Sequence, residues 1–200
     1  MKKTVSLLIS AAIVLLCFAG CNKNAKEITF SAVILSSYGN SMSVSIADKH
    51  ADFYSADVKF SSLDFVPETG RAVTITTSEI VYETPVQVTA KSIELIPVKY
   101  KKITADEACE KIQAGGVTVV DVSSEDEFNL GHIAGAVLLT EDDIREKAEA
   151  VLPDKQAEIL VYCRSGDRSE IAARSLISLG YTNVTDFGTL SDWQYGLTLD

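Results

Sequence analysis

The chain of 200 residues has few of the residues from which metal sites and disulfide frameworks are built. It contains four cysteines, two histidines, four prolines and one tryptophan. We expect no metal site, because metal centres need several such ligands close together. Positive charge is also scarce, since 18 Lys and Arg stand against 28 Asp and Glu, a formal net charge of −10. This acidity argues against nucleic acid as a partner and means that an anionic substrate must be attracted locally.

The cysteines do not predict a disulfide framework. Cys17 and Cys21 lie near the N-terminus, which leaves only Cys109 and Cys163 for the remainder of the chain. Cys109 falls at an apolar position of a predicted helix, so we expect it to be buried and inert. A bridge between Cys109 and Cys163 is the alternative.

Long hydrophobic runs are missing, apart from one near the N-terminus. Two lysines precede an apolar stretch from Val5 to Leu16, and this is shorter than the about 20 residues that a membrane-spanning helix needs. We interpret residues 1–20 as a signal peptide. The run Phe18-Ala19-Gly20-Cys21 is similar to the lipobox of bacterial lipoproteins.

The lipobox resemblance implies that Cys21 is lipidated and that residues 21–27 form a tether. It places the chain in the bacterial cell envelope, outside the cytoplasm and anchored to a membrane by lipid. An uncleaved anchor helix is the alternative.

From residue 28 to 97, apolar and polar residues alternate with period two, as in strands with one buried face. Turn signals such as Tyr38-Gly39-Asn40 and Pro67-Glu68-Thr69-Gly70 separate the alternating segments. Five or six short strands in this length predict a small all-β barrel or sandwich domain. The alternating sets are Ala32/Ile34, Val44/Ile46, Val58/Phe60, Val73/Ile75 and Val86/Val88/Ala90.

Two runs of this segment, Gly70 to Ile75 and Glu83 to Val88, resemble small OB-like β-barrels of other bacterial lipoproteins. OB barrels that bind nucleic acid use basic grooves and stacking aromatic residues. Because this segment has few positive charges, we expect a spacer or a docking module for a protein partner, and no nucleic acid. The linker 98–102 contains no Gly or Ser, which predicts that the next domain is closely apposed.

From residue 103 to 200, strands alternate with helices, which predicts an α/β domain with a mainly parallel sheet flanked by helices. Thr104 and Glu107 have the spacing of a capping box. The apolar run Val117 to Val120 brings Asp121 to the carboxyl end of a strand, where sites form in open α/β sheets. We expect Asp121 to order the neighbouring backbone, with a role as general base as the alternative.

The strongest chemical signal follows another buried strand. The apolar run Ile159 to Tyr162 ends at Cys163, and a polar, Gly-containing turn then leads into a helix. Backbone N–H groups and the dipole at a helix start stabilise anions. We therefore predict that the N–H groups of 164–168 surround the Cys163 sulfur and favour its thiolate form. Arg164 and Arg168 would attract an anionic substrate, and a merely buried cysteine is the alternative.

Five motifs occur in a fixed order between Tyr100 and Leu199: Asp121-Val122, Glu127-Phe128, Gly131-His132-Ile133-Ala134-Gly135-Ala136, Cys163-Arg164-Ser165-Gly166-Asp167-Arg168-Ser169, and Gly188 with Trp193. Together they resemble the single-domain rhodaneses, which are sulfurtransferases. The resemblance implies a rhodanese-like fold with Cys163 as the nucleophile and with Asp121 and Ser169 as supporting residues. It implies substrate binding by Arg164, Ser165, Gly166, Asp167 and Arg168. That family usually has an arginine two residues after this aspartate, where the present chain has Ser123.

The resemblance implies that Cys163 takes a sulfane sulfur from a thiosulfate-like anion as a persulfide and gives it to a thiol acceptor. No cofactor and no metal is implied. A non-catalytic, membrane-anchored scaffold or persulfide carrier is the alternative from another class. Related phosphatases and arsenate reductases have five residues between the cysteine and the arginine, whereas four separate Cys163 from Arg168 here. Their chemistry is therefore the less favoured alternative.

Overall fold

The computed structural model describes residues 26–47 and 51–199. The predicted signal peptide, residues 1–20, and the predicted lipidation site Cys21 lie outside this part of the chain. None of the helices in the described part has the length and apolar character needed to cross a membrane.

Five strands form the N-terminal half: β1 (Ile28–Tyr38), β2 (Ser41–Ser45), β3 (Ser55–Lys59), β4 (Arg71–Val81) and β5 (Val86–Lys99). They close into a barrel in the order β1-β2-β3-β5-β4. Neighbouring strands are antiparallel except β3 and β5, which are parallel. The turn between β1 and β2 contains Gly39 in the left-handed region, with φ of 56°, where a glycine is not strained.

The middle of strand β1, residues 32–34, is buried on both of its faces. Phe30, Ala32 and Ile34 pack in the barrel interior, as the period-two pattern predicts. Val33 points the other way, yet it is fully buried in a second core that belongs mainly to the C-terminal half. The outer surface of the barrel is therefore partly an interface.

The C-terminal half consists of α1 (Ala105–Ala114), β6 (Val117–Asp121), α2 (Glu125–Asn129), β7 (Val137–Leu138), α3 (Ile144–Val151), β8 (Glu158–Cys163), α4 (Asp167–Ser178) and β9 (Val184–Thr189). Its four strands form one parallel sheet in the order β7-β6-β8-β9, so the α/β prediction is confirmed. Strand β7 is shorter than the apolar run Ala136 to Leu139 indicates, because the Ala136 N–H closes a turn onto the Ile133 carbonyl.

Reciprocal caps begin two of the helices. The hydroxyl of Thr104 accepts the Glu107 N–H, and the Glu107 carboxylate accepts the Thr104 N–H, so the predicted capping box is confirmed. A second box, formed by Ser124 and Glu127, begins α2. Each box satisfies two N–H groups that have no partner within the helix.

Strand β8 is in the middle of the sheet and is covered on both faces. Leu160 and Tyr162 pack in the core that also contains Ala108 of α1. Ile159, Val161 and Cys163 face the opposite core, which contains residues of α3 and α4. Burial on both faces explains why this strand is a continuous apolar run rather than an alternating one.

Helix α4 lies between the sheet and the barrel. Leu176 of α4 shares a core with Val33 and Ala72 of the barrel and with Val161 of the sheet. At the end of the helix, the hydroxyl of Ser178 accepts the Ala47 N–H at 2.9 Å. The two halves are therefore joined by one continuous apolar core. The domain limits 28–97 and 103–200 remain a prediction.

The junction between the halves is itself held in place. The Tyr100 hydroxyl donates to the fully buried Asp186 carboxylate at 2.6 Å. The Arg174 guanidinium of α4 lies 4.9 Å from the centre of the Tyr100 ring, in cation–π geometry. Burial, followed by the hydrogen bond to Asp186, raises the pKa of Tyr100. These contacts connect the junction to both β9 and α4.

The Ser178–Ala47 hydrogen bond makes the shared core testable. Ser178→Ala leaves a buried Ala47 N–H without its partner, and we expect the free energy of unfolding to fall by about 1–3 kcal/mol. Urea titration of the protein lacking residues 1–21, followed by Trp193 fluorescence and by far-ultraviolet circular dichroism, measures it. Both signals should shift together. The matched control Ser92→Ala, at an exposed position of β5, should change stability by less than about 0.5 kcal/mol. Equal effects of the two substitutions would contradict the interface.

Candidate active site

The candidate nucleophile stands at the carboxyl end of β8. Cys163 is followed by a three-residue loop, and α4 begins at Asp167. The Gly166 N–H donates to the Cys163 sulfur at 2.9 Å. Gly166 has φ of 95°, and a side chain there would be strained and would lie against Thr189. The loop therefore needs glycine at this position in order to direct its N–H to the sulfur.

The prediction for the loop N–H groups is correct for Gly166 and wrong for Arg164. The Arg164 N–H donates to the Ser123 hydroxyl at 3.0 Å rather than to the sulfur. The Thr189 hydroxyl donates to the Arg164 carbonyl at 2.7 Å, and the Ser169 hydroxyl donates to the Gly166 carbonyl at 2.9 Å. Side chains from three neighbouring segments thus hold the loop backbone from both of its ends.

Ser123 supports the backbone of the loop that follows Cys163. Its side chain is buried, and its own N–H donates to Asp121 Oδ1 at 2.8 Å. Asp121 therefore orders Ser123, and Ser123 in turn holds the Arg164 N–H. This agrees with the predicted ordering role of Asp121.

The two loop arginines both contact Glu127. Arg168 forms a two-pronged ion pair with the Glu127 carboxylate, with N–O distances of 2.6 and 2.9 Å. Arg164 donates from Nη2 to the Glu127 backbone carbonyl at 2.6 Å. Arg164 forms no ion pair with any carboxylate in the described part of the chain. Its positive charge therefore remains available to an anion, whereas that of Arg168 is already neutralised.

Glu127 is the acidic residue of the site. The hydrogen bonds from Arg168, followed by the one from the Ser124 N–H, lower the pKa of Glu127 to about 2. The hydrogen bond to Glu127 is also the main cause that raises the pKa of Arg168, and the charge of Cys163 contributes to the same rise. Burial, followed by the charge of Asp142, raises the pKa of the nearby Glu141 carboxyl. The pair of Arg168 and Glu127 therefore stays fully ionised at neutral pH.

Cys163 is completely buried, with an exposed fraction of 0%. The remaining predicted loop residues, Ser165 and Asp167, are exposed. They border a groove of about 830 Å³ whose other wall includes Lys102 and Gln194, and Cys163 is not among the residues that line it. The loop therefore presents its polar outer side to the groove and its sulfur to the protein interior.

Cys109 and His132 are both buried and lie in structural surroundings. Cys109 and Cys163 are both free and buried, so the alternative of a bridge between them is wrong. The His132 ring stacks on Phe128, and its Nδ1 lies 3.1 Å from the Phe128 carbonyl oxygen. Among the described residues, no group of three or more His, Cys, Asp or Glu is arranged to hold a metal ion.

Sequence reasoning missed the roles of Glu127, Ser123 and Thr189. Glu127 has a local signal, because it follows Ser124 at the spacing of a capping box. That signal predicts the start of a helix and does not indicate the ion pair with Arg168. Ser123 and Thr189 have no local signal at all, because their hydroxyls reach the loop from distant parts of the chain: Ser123 follows β6 and Thr189 ends β9.

The support that Ser123 gives to the loop can be measured. Ser123→Ala leaves the Arg164 N–H without its acceptor, and we expect unfolding to require about 1–3 kcal/mol less free energy. Chemical denaturation is the measurement. Ser165→Ala, in the same loop but with its side chain exposed, is the matched control and should stay within about 0.5 kcal/mol of the parent protein. A Ser123→Ala protein as stable as the control would show that the loop does not depend on this hydroxyl.

Comparison with known proteins agrees with this geometry. A family model described as Rhodanese-like domain matches residues 104–194. The chain is 31% identical over 96 residues to thiosulfate sulfurtransferase GlpE of Coxiella burnetii, covering 48% of this chain and 88% of that protein. It is 32% identical over 73 residues to thiosulfate sulfurtransferase PspE of Escherichia coli, covering 36% of this chain and 70% of that protein.

Two further similarities differ widely in the share of the other protein that they cover. The chain is 39% identical over 82 residues to adenylyltransferase and sulfurtransferase UBA4 of Candida albicans, covering 38% of this chain but only 19% of that protein. A crystal structure of a rhodanese-related protein from Thermoplasma volcanium matches 50% of this chain and 100% of that chain, with 30% identity and a TM-score of 0.46. On the family match and on the similarity to GlpE and PspE, the chain belongs, through residues 104–194, to the rhodanese-like family.

Proposed function

We propose that the chain is a sulfurtransferase that moves a sulfane sulfur from a thiosulfate-like donor to a thiol acceptor through Cys163. The observation that carries the proposal is the Gly166 N–H, which points at the Cys163 sulfur from 2.9 Å at the start of α4. Negative charge on that sulfur, or on a second sulfur bonded to it, is stabilised by such a donor and by the helix dipole. The relatives named thiosulfate sulfurtransferase support the same reaction.

The reaction proceeds in two balanced steps. The Cys163 thiolate attacks the outer sulfur of thiosulfate, and the bond between the two sulfur atoms breaks. Sulfite leaves with the bonding electron pair, and Cys163 carries a persulfide of unchanged charge. An acceptor thiolate then attacks the terminal sulfur, which becomes the acceptor's persulfide, and the Cys163 thiolate is restored. The step requires no cofactor.

The loop residues have separate roles in this proposal. Arg164 supplies the positive charge that attracts the donor, since it has no carboxylate partner among the described residues. Gly166 stabilises charge on the sulfur. Ser169, from the first turn of α4, and Asp121, acting through Ser123, keep the loop in place. Ser165 and Asp167 lie on the exposed outer side, where they border the groove.

One observation favours the second candidate, a non-catalytic scaffold or a persulfide carrier for a partner protein. The Cys163 side chain is fully buried, so a small donor reaches the sulfur only when the residues around it move. A carrier opened by its partner would show this property, and it would not react with free thiosulfate.

Intact mass spectrometry after exposure to thiosulfate separates these candidates. We expect the protein lacking residues 1–21 to gain one sulfur, about 32 Da, through the persulfide that a cysteine nucleophile forms. The gain should be absent from Cys163→Ser and reversed by cyanide. Cys109→Ser is the matched control and should gain sulfur like the parent protein. A parent protein that gains no sulfur would contradict catalysis with thiosulfate and favour the carrier.

For the N-terminal half, we propose an OB-like barrel, in domain limits of 28–97, that spaces the rhodanese-like domain from a membrane or docks a protein partner. The closed arrangement of five strands supports the OB-like assignment. The exposed Tyr38, Tyr54 and Tyr82 support protein docking, because aromatic residues are enriched at such interfaces. Attachment to the membrane of a bacterial cell envelope rests on the sequence around Cys21.

Lipidation of Cys21 has a direct test. In bacteria that express the full chain and are fed a radiolabelled fatty acid, we expect label on the protein and recovery of the protein in the membrane fraction. Cys21→Ser should remove the label, whereas the neighbouring control Cys17→Ser should retain it. Label on the Cys21→Ser protein would contradict the lipoprotein assignment.

A further inference from the structure

The carboxylate of Glu127 occupies the position on Arg168 that an anionic donor would need. Both outer nitrogens of the guanidinium donate to it, at 2.6 and 2.9 Å. This fork geometry is the one in which arginine binds carboxylates and other oxyanions. Each side chain of the pair is about 30% exposed, so the pair is accessible from solvent.

Glu127 is a fixed anion rather than a mobile surface charge. Besides Arg168, its carboxylate accepts the Ser124 N–H at 2.9 Å and the Ser124 hydroxyl at 3.0 Å. It is thereby part of the cap of α2, and its low pKa keeps it charged at neutral pH. A donor that competed for Arg168 would have to break the ion pair and stay next to this carboxylate.

The ion pair is close to the reacting sulfur. Arg168 is the second residue of α4, which begins directly after the loop that follows Cys163. The charge of Cys163 contributes to the raised pKa of Arg168, after the larger contribution of Glu127. Glu141 is also near enough for the charge of Arg168 to act on its carboxyl. With Arg168 neutralised by Glu127, Arg164 is the guanidinium that remains to balance a thiolate and an incoming anion together.

We propose that Glu127 selects sulfur donors by their charge. The site then prefers donors with one negative charge, such as thiosulfonates and persulfides, over the dianion thiosulfate. The inference rests on the sulfurtransferase function proposed above and names its donor class. The reason is electrostatic: the second charge of thiosulfate has no free guanidinium to bind and is repelled by the Glu127 carboxylate.

Two donors of nearly equal shape test the charge preference. In methanethiosulfonate, a methyl group replaces one oxygen of thiosulfate, and the anion has a single charge. The Cys163 thiolate attacks its outer sulfur, the bond between the sulfur atoms breaks, and methanesulfinate leaves with the electron pair. The persulfide on Cys163 is therefore the same product from either donor. Its rate of formation is measured by quenching the reaction at set times and recording the intact mass of the protein.

Glu127→Gln removes the charge and keeps the cap, because a glutamine oxygen also accepts the Ser124 N–H in a capping box. Glu125→Gln removes an equal charge from an exposed position in the first turn of the same helix. It is the matched control for net charge and helix stability. A thermal unfolding curve of each variant shows whether the fold is retained.

We expect Glu127→Gln to raise the second-order rate constant of persulfide formation from thiosulfate about tenfold. The rate constant with methanethiosulfonate should rise less than about threefold, because only the dianion has a second charge for the released Arg168 guanidinium to bind. Glu125→Gln should change either rate by less than about twofold, since an exposed charge that forms no contact with Arg168 is screened by solvent and salt. If the parent protein forms the persulfide, and Glu127→Gln has the same ratio of rates with the two donors as the parent, this inference alone would be overturned. Failure of the parent protein with both donors would overturn the proposed function and this inference together.

Discussion

Helix α4 has to fit two neighbours at the same time, and the remaining structure depends on this constraint. Gly166, the residue directly before its first turn, provides the N–H that meets the Cys163 sulfur. Its buried residues pack against the sheet and also against the barrel, where Val33 belongs to the same core. Any shift of α4 along its axis would alter the loop, so the barrel helps to determine the geometry of the site. Attachment of an all-β half to a rhodanese-like half is, in this chain, part of how the loop is held.

The charges around the sulfur follow from a second constraint. A helix start stabilises an anion only if its N–H groups and nearby cations are not already satisfied. In this site the Arg164 N–H is held by Ser123 and the Arg168 guanidinium is held by Glu127. The Gly166 N–H is directed at the reacting sulfur, and the Arg164 guanidinium has no carboxylate partner among the described residues. Part of the positive potential at this helix start is therefore already used by Ser123 and Glu127.

The parts of the molecule that depend on local periodicity could be predicted from the sequence, and the parts that depend on distant contacts could not. The alternation in β1, the cap formed by Thr104 and Glu107, and Cys163 at a strand end are all local features. The contact between Arg168 and Glu127 joins residues 41 positions apart, so the spacing of residues along the sequence does not predict it. Burial of Val33 on the outer face of β1 likewise depends on where α4 lies.

We propose that the loop after Cys163 holds a transferred sulfur atom on the cysteine with its own backbone. The most direct measurement is a crystal structure of the protein after brief exposure to a sulfane sulfur donor. We expect a second sulfur bonded to the Cys163 sulfur at about 2.05 Å, the length of a sulfur–sulfur bond, with the Gly166 N–H directed at one of the two atoms. An unmodified Cys163 at donor concentrations that load other rhodanese-like proteins, or a sulfur bonded to Cys109 instead, would contradict it.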